Sequence, residues 1–203
     1  MKSTTDKYLE IHNKRIDEFG LNAKALWSGT ESQHKRFSIL LNLILSKENF
    51  SLLDFGCGFG DFFPYLSSKE YFPSKYYGID INSRMIAEAQ KRYPSVNFYL
   101  GSSDNFIDLN IHVDYVIASG IYNLGENKNE VQRFFISQFK DLFLHVNTGF
   151  GINFLSDKSP SMDNVSIYHS PEETYTLCKK TFSSNVKVIE GYLPNDFTIF
   201  VYK

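Results

Sequence analysis

Cysteine is scarce in this chain: Cys57 and Cys178 are the only two among 203 residues. Two thiols cannot build the disulfide framework of a secreted scaffold, so a reducing compartment is expected. Long apolar runs are missing as well, and none reaches the roughly 18 residues that a membrane-spanning helix needs. The stretch after Met1 is polar and has no signal-peptide core. No long block carries one sign of charge, and the formal net charge is -2. That balance argues against a nucleic-acid partner held on a basic face. Short basic pairs such as Lys35-Arg36, Lys91-Arg92 and Lys179-Lys180 read as solvated helix positions. No internal repeat or low-complexity segment stands out. These absences leave a soluble, cytoplasmic protein without a membrane partner, of a length suited to one domain. Aromatic residues are plentiful at 16%, enough for a well-filled core or an aromatic-lined pocket.

The chain is organised around Leu52-Leu53-Asp54-Phe55-Gly56-Cys57-Gly58-Phe59-Gly60-Asp61. Ser51 to Phe55 is a short apolar run, fit for a parallel strand covered on both faces. Glycines then alternate at 56, 58 and 60. Glycine permits positive φ and lets a ligand approach the backbone closely. A helix start follows, with free N–H groups. Together they make a ledge of nucleotide size. The dinucleotide fingerprint needs a third glycine where Asp61 stands, which counts against a dehydrogenase. A P-loop needs Gly-Lys-Ser/Thr after the turn, and none is present.

Around this ledge the chain reads as alternating elements. Thr5 to Phe19 suits an amphipathic helix bearing Tyr8, Ile11, Ile16 and Phe19, and Gly20 suits its stop. Thr30 is placed to cap a second helix, with Gln33 completing a capping box. That helix carries Phe37, Leu40, Leu41, Ile44 and Leu45 on its apolar side. Asp61 to Ser68 is a helix. Lys75 to Ile79 is a second strand ending at Asp80, an acid about twenty residues past the glycines, where a parallel α/β site places its ribose-binding carboxylate. Ser83 is placed to cap the helix that runs to Tyr93. Val96 to Leu100, Asp114 to Ala118 and Gly149 to Leu155 are further strands. The fourth ends in Ser119-Gly120-Ile121-Tyr122-Asn123, and strand ends at a switch point are where ligands sit. Lys128 to His145 is a long helix with Phe134, Phe135, Phe139, Leu142 and Phe143 as its buried stripe. A long polar loop holding Tyr168-His169-Ser170 reads as a functional lid. Ser170-Pro171-Glu172-Glu173 opens a helix. Val186 to Tyr192 and Phe197 to Tyr202 form a final strand pair.

The glycine pattern, with Asp54 two places before Gly56, resembles motif I of the class I S-adenosylmethionine-dependent methyltransferases. The resemblance covers the whole chain. Val113 to Asn123, Gly151 to Ser156 and Asp196 to Ile199 resemble a small bacterial subgroup of unassigned substrate. It implies an α/β, Rossmann-like fold: a seven-stranded, mostly parallel sheet with an antiparallel C-terminal hairpin strand and N-terminal cover helices. It implies one domain over 1–203, with cover helices in 1–48 and the α/β core in 49–203. It also implies S-adenosylmethionine as cofactor, with S-adenosylhomocysteine as product. The cofactor would lie on Asp54, Gly56, Cys57, Gly58 and Gly60, with Asp80 on the ribose and Ile81 and Met85 on the adenine. In that family an acid often follows the glycine after the third strand and meets the adenine amino group. Here Ser102 holds that place, so the contact stays open between Ser102, Ser103 and Asp104. Ser119 and Gly120 complete the cofactor set at the fourth strand.

No metal site is expected, because Ser119 stands where catechol-type enzymes place a metal-binding Asp. The acceptor expected is a small molecule, methylated on O or N. Alternatives are an RNA or protein methyltransferase, and a non-catalytic cofactor-binding module that regulates a partner. His169 is the first candidate for a base, from its place in the lid and its ordinary pKa. Tyr122 and Asn123 are candidates for acceptor contacts. Trp27 and Tyr8 read either as packing or as an aromatic wall over the site. Arg36 reads as a solvated helix arginine or as a fork for the cofactor carboxylate.

Overall fold

A computed structural model describes residues 4–27, 29–125 and 127–203. The strands are β1 (Ser51–Phe55), β2 (Lys75–Asp80), β3 (Asn97–Leu100), β4 (Val113–Ser119), β5 (Val146–Leu155), β6 (Val186–Glu190) and β7 (Asp196–Tyr202). They form one sheet in the order β3-β2-β1-β4-β5-β7-β6. Strands β1 to β5 pair in parallel, and β7 runs antiparallel to both β5 and β6. The order reverses at β1 and β4, so a crevice opens between their C-terminal ends, which is where such sheets bind ligands.

Side chains along β1 alternate between two aromatic-rich cores. Leu53 and Phe55 join Phe135, Phe139, Phe150 and Phe154 beneath α6 (Lys128–Leu142) and α7 (Pro171–Thr181). Leu52 joins Phe37, Phe62, Leu66 and Phe98 on the other face, beneath α2 (Thr30–Leu40), α3 (Phe62–Ser68) and α4 (Ser83–Arg92). Burial on both faces explains why the strand reads as a continuous apolar run.

The N-terminal helix α1 (Thr4–Phe19) crosses the C-terminal edge of the sheet. Tyr8 stacks on Phe134 of α6 at 6.4 Å. Further along the helix, Asn13 and Ile16 reach the other side: Asn13 Oδ1 accepts from Asn82 Nδ2 at 3.0 Å, and Ile16 packs with Ala25, Phe59 and Met85. The cover helices therefore lie over the crevice itself.

Local structure departs from expectation at several ends. Thr30 is the first residue of α2, and the N-cap is Gly29 with no side-chain cap bond. Gln33 donates instead to Asp61 Oδ2, 3.1 Å away. The helix stops at Leu40 and tightens into a 3-10 turn, so Leu45 falls outside it and is 76% exposed. Asn82, not Ser83, caps α4, because its Oδ1 accepts from the backbone N–H of both Arg84 and Met85. A short helix, α5 (Ser103–Asp108), occupies a polar stretch with no strong periodic signal. Ser170 caps α7 as expected, with Pro171 in the first turn.

Candidate active site

Gly56, Gly58 and Gly60 have φ of +75°, +54° and +75°, a region that L side chains rarely adopt. The turn they form is pinned to the end of β2. The N–H groups of Gly56 and Cys57 both donate to the Ile79 carbonyl, at 2.8 and 3.0 Å. Space is as tight as the backbone: a Cβ on Gly60 would stand 2.7 Å from Phe98 Cζ. Gly60→Ala is expected to cost about 2–4 kcal/mol of stability through strain and overpacking. Urea unfolding of the variant checks this.

Asp80 closes the turn from the β2 side. Its Oδ2 accepts from Gly58 N–H at 2.9 Å, and its Oδ1 from Asn82 N–H at 2.8 Å. Burial raises its pKa, and backbone donors from Asn82, Gly58 and Ile81 oppose the rise. The two direct bonds occupy about half of a carboxylate's roughly four lone-pair directions, and with Ile81 N–H nearby at least one remains for a ligand's hydroxyl. Asp54 lies differently. It faces the core, is 4% exposed, and accepts from the Tyr76 hydroxyl at 2.6 Å. Burial is the chief reason that its pKa rises to about 7. Asp54 is thus a support beneath the turn, with its carboxylate already engaged.

The other expected cofactor residues scatter around this centre. Cys57 is buried and its thiol is pushed well up by burial. Met85 is 2% exposed and packs on Phe59, and Ile81 is half-buried beside Asp80. Ser102 is engaged at the start of α5, its N–H donating to Asn105 Oδ1 at 2.9 Å, and Ser103 is buried. Gly120, at φ +72°, ends β4. Ser119 Oγ donates to Asn153 Oδ1 at 2.9 Å. From there a neutral polar chain runs outward: Asn153 Nδ2 donates to Thr198 Oγ1 at 2.6 Å, and Tyr192 Oη lies 2.9 Å from the same hydroxyl.

The two expected catalytic residues are not placed for chemistry. Tyr122 is 1% exposed among Phe135, Phe139 and Phe154, and its hydroxyl donates to Gln138 of α6 at 2.8 Å. His169 is 2% exposed; its Nε2 lies 2.9 Å from the Tyr122 carbonyl and its ring packs on Phe154. Burial lowers its pKa. A base needs reach to the proton it takes, and both side chains are spent on fixing the 122–124 segment. Asn123 does the same work, its Oδ1 accepting from Leu155 N–H at 2.9 Å. Among the described residues no cluster of His, Cys, Asp or Glu suits a metal.

One correction concerns the cover. Arg36 is neither solvated nor free for a ligand: its Nε and Nη2 grip Asp196 at 2.7 and 2.8 Å. Trp27 lies against that guanidinium, 4.8 Å from Arg36 Cζ to the ring centroid. Trp27 also covers Gly120, where a Cβ would come within 2.6 Å of its Cη2. Leu26 covers Gly58 in the same way, at 2.8 Å. The sequence offers one signal for this roof, an isolated tryptophan in a loop.

Comparison with known proteins matches the geometry. Residues 46–165 match the family model described as a methyltransferase domain. The Mycobacterium tuberculosis protein named "Putative methyltransferase Rv1506c" is 28% identical over 173 residues, covering 80% of this chain and 99% of that protein. Among solved structures, the DhpI–SAH complex superposes with a TM-score of 0.68 at 13% identity, over 97% of this chain and 95% of that one. Magnesium protoporphyrin IX methyltransferase from Synechocystis PCC 6803 with bound SAM gives 0.67 at 14% identity, over 98% and 94%. The plantazolicin methyltransferase BpumL, in complex with a triazolic desmethylPZN analog and SAH, gives 0.67 at 17% identity, over 98% and 99%. At such identities the likeness is one of fold. Strand order, glycine turn and family model converge: the chain belongs to the methyltransferase domain family and has the Rossmann-like class I fold.

Proposed function

We propose that the protein transfers a methyl group from S-adenosylmethionine to an oxygen or nitrogen of a small-molecule acceptor. The observation that carries this is the pairing of Asp80 with the Gly58 amide at the mouth of the crevice. The residues present fit the cofactor. Asp80 keeps acceptor capacity for vicinal hydroxyls, and three left-handed glycines leave no Cβ between backbone and ligand. When bound, the cofactor supplies a methyl group already activated on a sulfonium. The chain's own work is then to bind, orient and exclude water. Met85 and Ile81 offer apolar contact beside Asp80. Asp54 and Tyr76 hold the turn from below.

The acceptor has an entry on the same edge of the sheet. A groove of about 680 Å³ lies between α2 and the β6–β7 turn, lined by Ser32, His34, Lys35, Tyr192 and Leu193 among others. Tyr192 belongs to the polar chain that leads back to Ser119 at the end of β4. Neutral hydroxyls and an amide suit a small acceptor bearing O–H or N–H, and the near-balanced charge of the chain speaks against a polyanion. The N-terminal helices and the sheet act as one catalytic domain. Both cysteines are free and buried, in keeping with a cytoplasmic setting. No described helix is long and apolar enough to cross a membrane.

Calorimetric titration tests the cofactor. S-adenosylmethionine and S-adenosylhomocysteine are expected to bind and NAD is not. Asp80→Ala should weaken both by about a hundredfold or more, since it removes charge-assisted bonds to the ligand and frees the Gly58 amide. NAD binding, or full affinity in the variant, would refute the reading.

A further inference from the structure

The crevice between β1 and β4 has a roof, and the roof holds polar atoms that nothing in the described protein satisfies. Leu26 and Trp27 are adjacent in sequence, yet one lies on Gly58 and the other on Gly120, on opposite sides of the crevice. The Trp27 ring is fixed on two sides. Its benzo edge lies on Gly120, and one face meets the Arg36 guanidinium. Its Nε1 is buried and has no hydrogen-bond partner among the described residues. Helix α1 supplies the rest of the roof. Tyr8, His12 and Ile16 are four residues apart and share one face. Tyr8 lies toward α6, and Ile16 lies over Phe59 and Met85. His12 falls between them, above the crevice. Its Nδ1 is also buried and also lacks a partner among the described residues.

A buried polar atom without a partner is costly and calls for an explanation. An indole N–H can only donate. It therefore asks for an acceptor. His12 is held neutral, its pKa lowered to about 4 by burial and then by Arg15. A neutral ring with its proton on Nε2 presents Nδ1 as an acceptor. The roof thus offers one donor and one acceptor above the crevice. Asp80 stands on the β2 side and takes the nucleoside's hydroxyls. A ligand anchored there and running toward β4 brings its other end beneath Trp27 and His12.

We infer that Trp27 and His12 bind the amino-acid end of the cofactor, Trp27 Nε1 donating to the carboxylate and His12 Nδ1 accepting from the ammonium. The inference rests on the cofactor reading above and adds that the N-terminal segment is itself part of the binding site. The roof then closes on ligands that carry an α-amino acid and ignores those that do not.

The test compares two probes on the full chain, S-adenosylhomocysteine and 5′-methylthioadenosine, which lacks the amino-acid end. Trp27→Phe keeps an aromatic ring on Gly120 and Arg36 but has no N–H. It should weaken S-adenosylhomocysteine by about tenfold or more, the range for a hydrogen bond to a charged group, and leave 5′-methylthioadenosine within about twofold. His12→Leu should act in the same direction, and His12→Asn, which restores an acceptor, should recover part of the loss. A measurement without substitution stands beside this. Trp27 is the only tryptophan, so its indole N–H gives a single ¹⁵N–¹H signal. That signal should move downfield with S-adenosylhomocysteine and stay in place with 5′-methylthioadenosine. Equal weakening of both probes, undiminished binding of S-adenosylhomocysteine, or an unmoved indole signal at saturation would overturn the inference. Failure of the wild-type protein to bind either probe would refute the cofactor reading itself, and this inference with it.

Discussion

Asp196→Ala lowers the unfolding free energy by about 3–5 kcal/mol, the range for removing one partner of a buried ion pair. Asp196 opens β7, and its side chain is 1% exposed. Arg36 sits on α2, its side chain 11% exposed, and meets both carboxylate oxygens with a two-pronged grip. Its Nη1 also reaches the Ser32 carbonyl at 3.3 Å. Removing Asp196 strands a guanidinium that has little water to turn to. The damage should spread, because Arg36 supports Trp27 and Trp27 covers Gly120. Arg36→Met combined with Asp196→Leu removes both charges and should recover most of the loss, since the cost lies in the orphaned ion more than in the missing attraction. Arg36→Lys should be destabilising even with Asp196 in place, because an ammonium cannot make the paired contact. Urea unfolding of these variants beside the wild type decides the matter. If the double variant is as unstable as Asp196→Ala, the orphaned-charge explanation fails.

That ion pair also marks the boundary of what the sequence discloses. Arg36 and Asp196 are 160 positions apart, and no local pattern connects them. Strand β1 is legible because burial on both faces demands an apolar run, and its ends match the expectation from Ser51 to Phe55. The glycine turn is legible because only glycine tolerates three left-handed positions in five residues. Asp80 is legible from its spacing, since a carboxylate at the end of β2 must lie beside the turn once the strands pair. Caps fall one residue from expectation where competent neighbours adjoin, as at Asn82 and Ser83. His169 departs from expectation for a different reason. Its segment lies in a long polar stretch, yet the chain folds back so that His169 N–H donates to the Leu155 carbonyl, extending the edge of the sheet. Tertiary pairing turns a surface-loop pattern into a buried one. The same holds for His12, whose helix reads as amphipathic but whose polar atom faces inward.

The contribution of Asp54 to stability is expected to be lost as pH rises from about 4 to about 7. Burial holds its carboxyl at about 7, against 3.8 for the free group. The Tyr76 hydroxyl pulls the value back, while Asp80 and Asp61 push it further up. Unfolded, the group gives up its proton near pH 4; folded, it keeps that proton until about pH 7. Within that window the folded state binds more protons, so stability falls as pH rises. Below it both states are protonated and the contribution is whole. Above it both are ionised, and a buried carboxylate has cost up to about 4 kcal/mol, at about 1.36 kcal/mol for each pH unit that separates the folded and unfolded titrations. Asp80 and Asp196 are also raised and act in the same direction. His12, at about 4, and His169 are lowered and oppose it within the same window, and Asp114 and Asp163 are lowered and oppose it at more acid pH. The net profile of the wild type is therefore a balance, and the difference between variant and wild type carries the test. Asp54→Asn isolates the one group. It is neutral at every pH and keeps an oxygen for the Tyr76 hydroxyl. The variant should equal the wild type near pH 4, exceed it by about 2–4 kcal/mol near pH 8, and show a flatter profile between them. Urea unfolding across that range measures both curves. Parallel curves would mean that Asp54 is already ionised in the folded protein at pH 4, with the Tyr76 bond outweighing burial. The variant should also retain cofactor affinity, because Asp54 lies under the turn, whereas the proposed ribose contact belongs to Asp80.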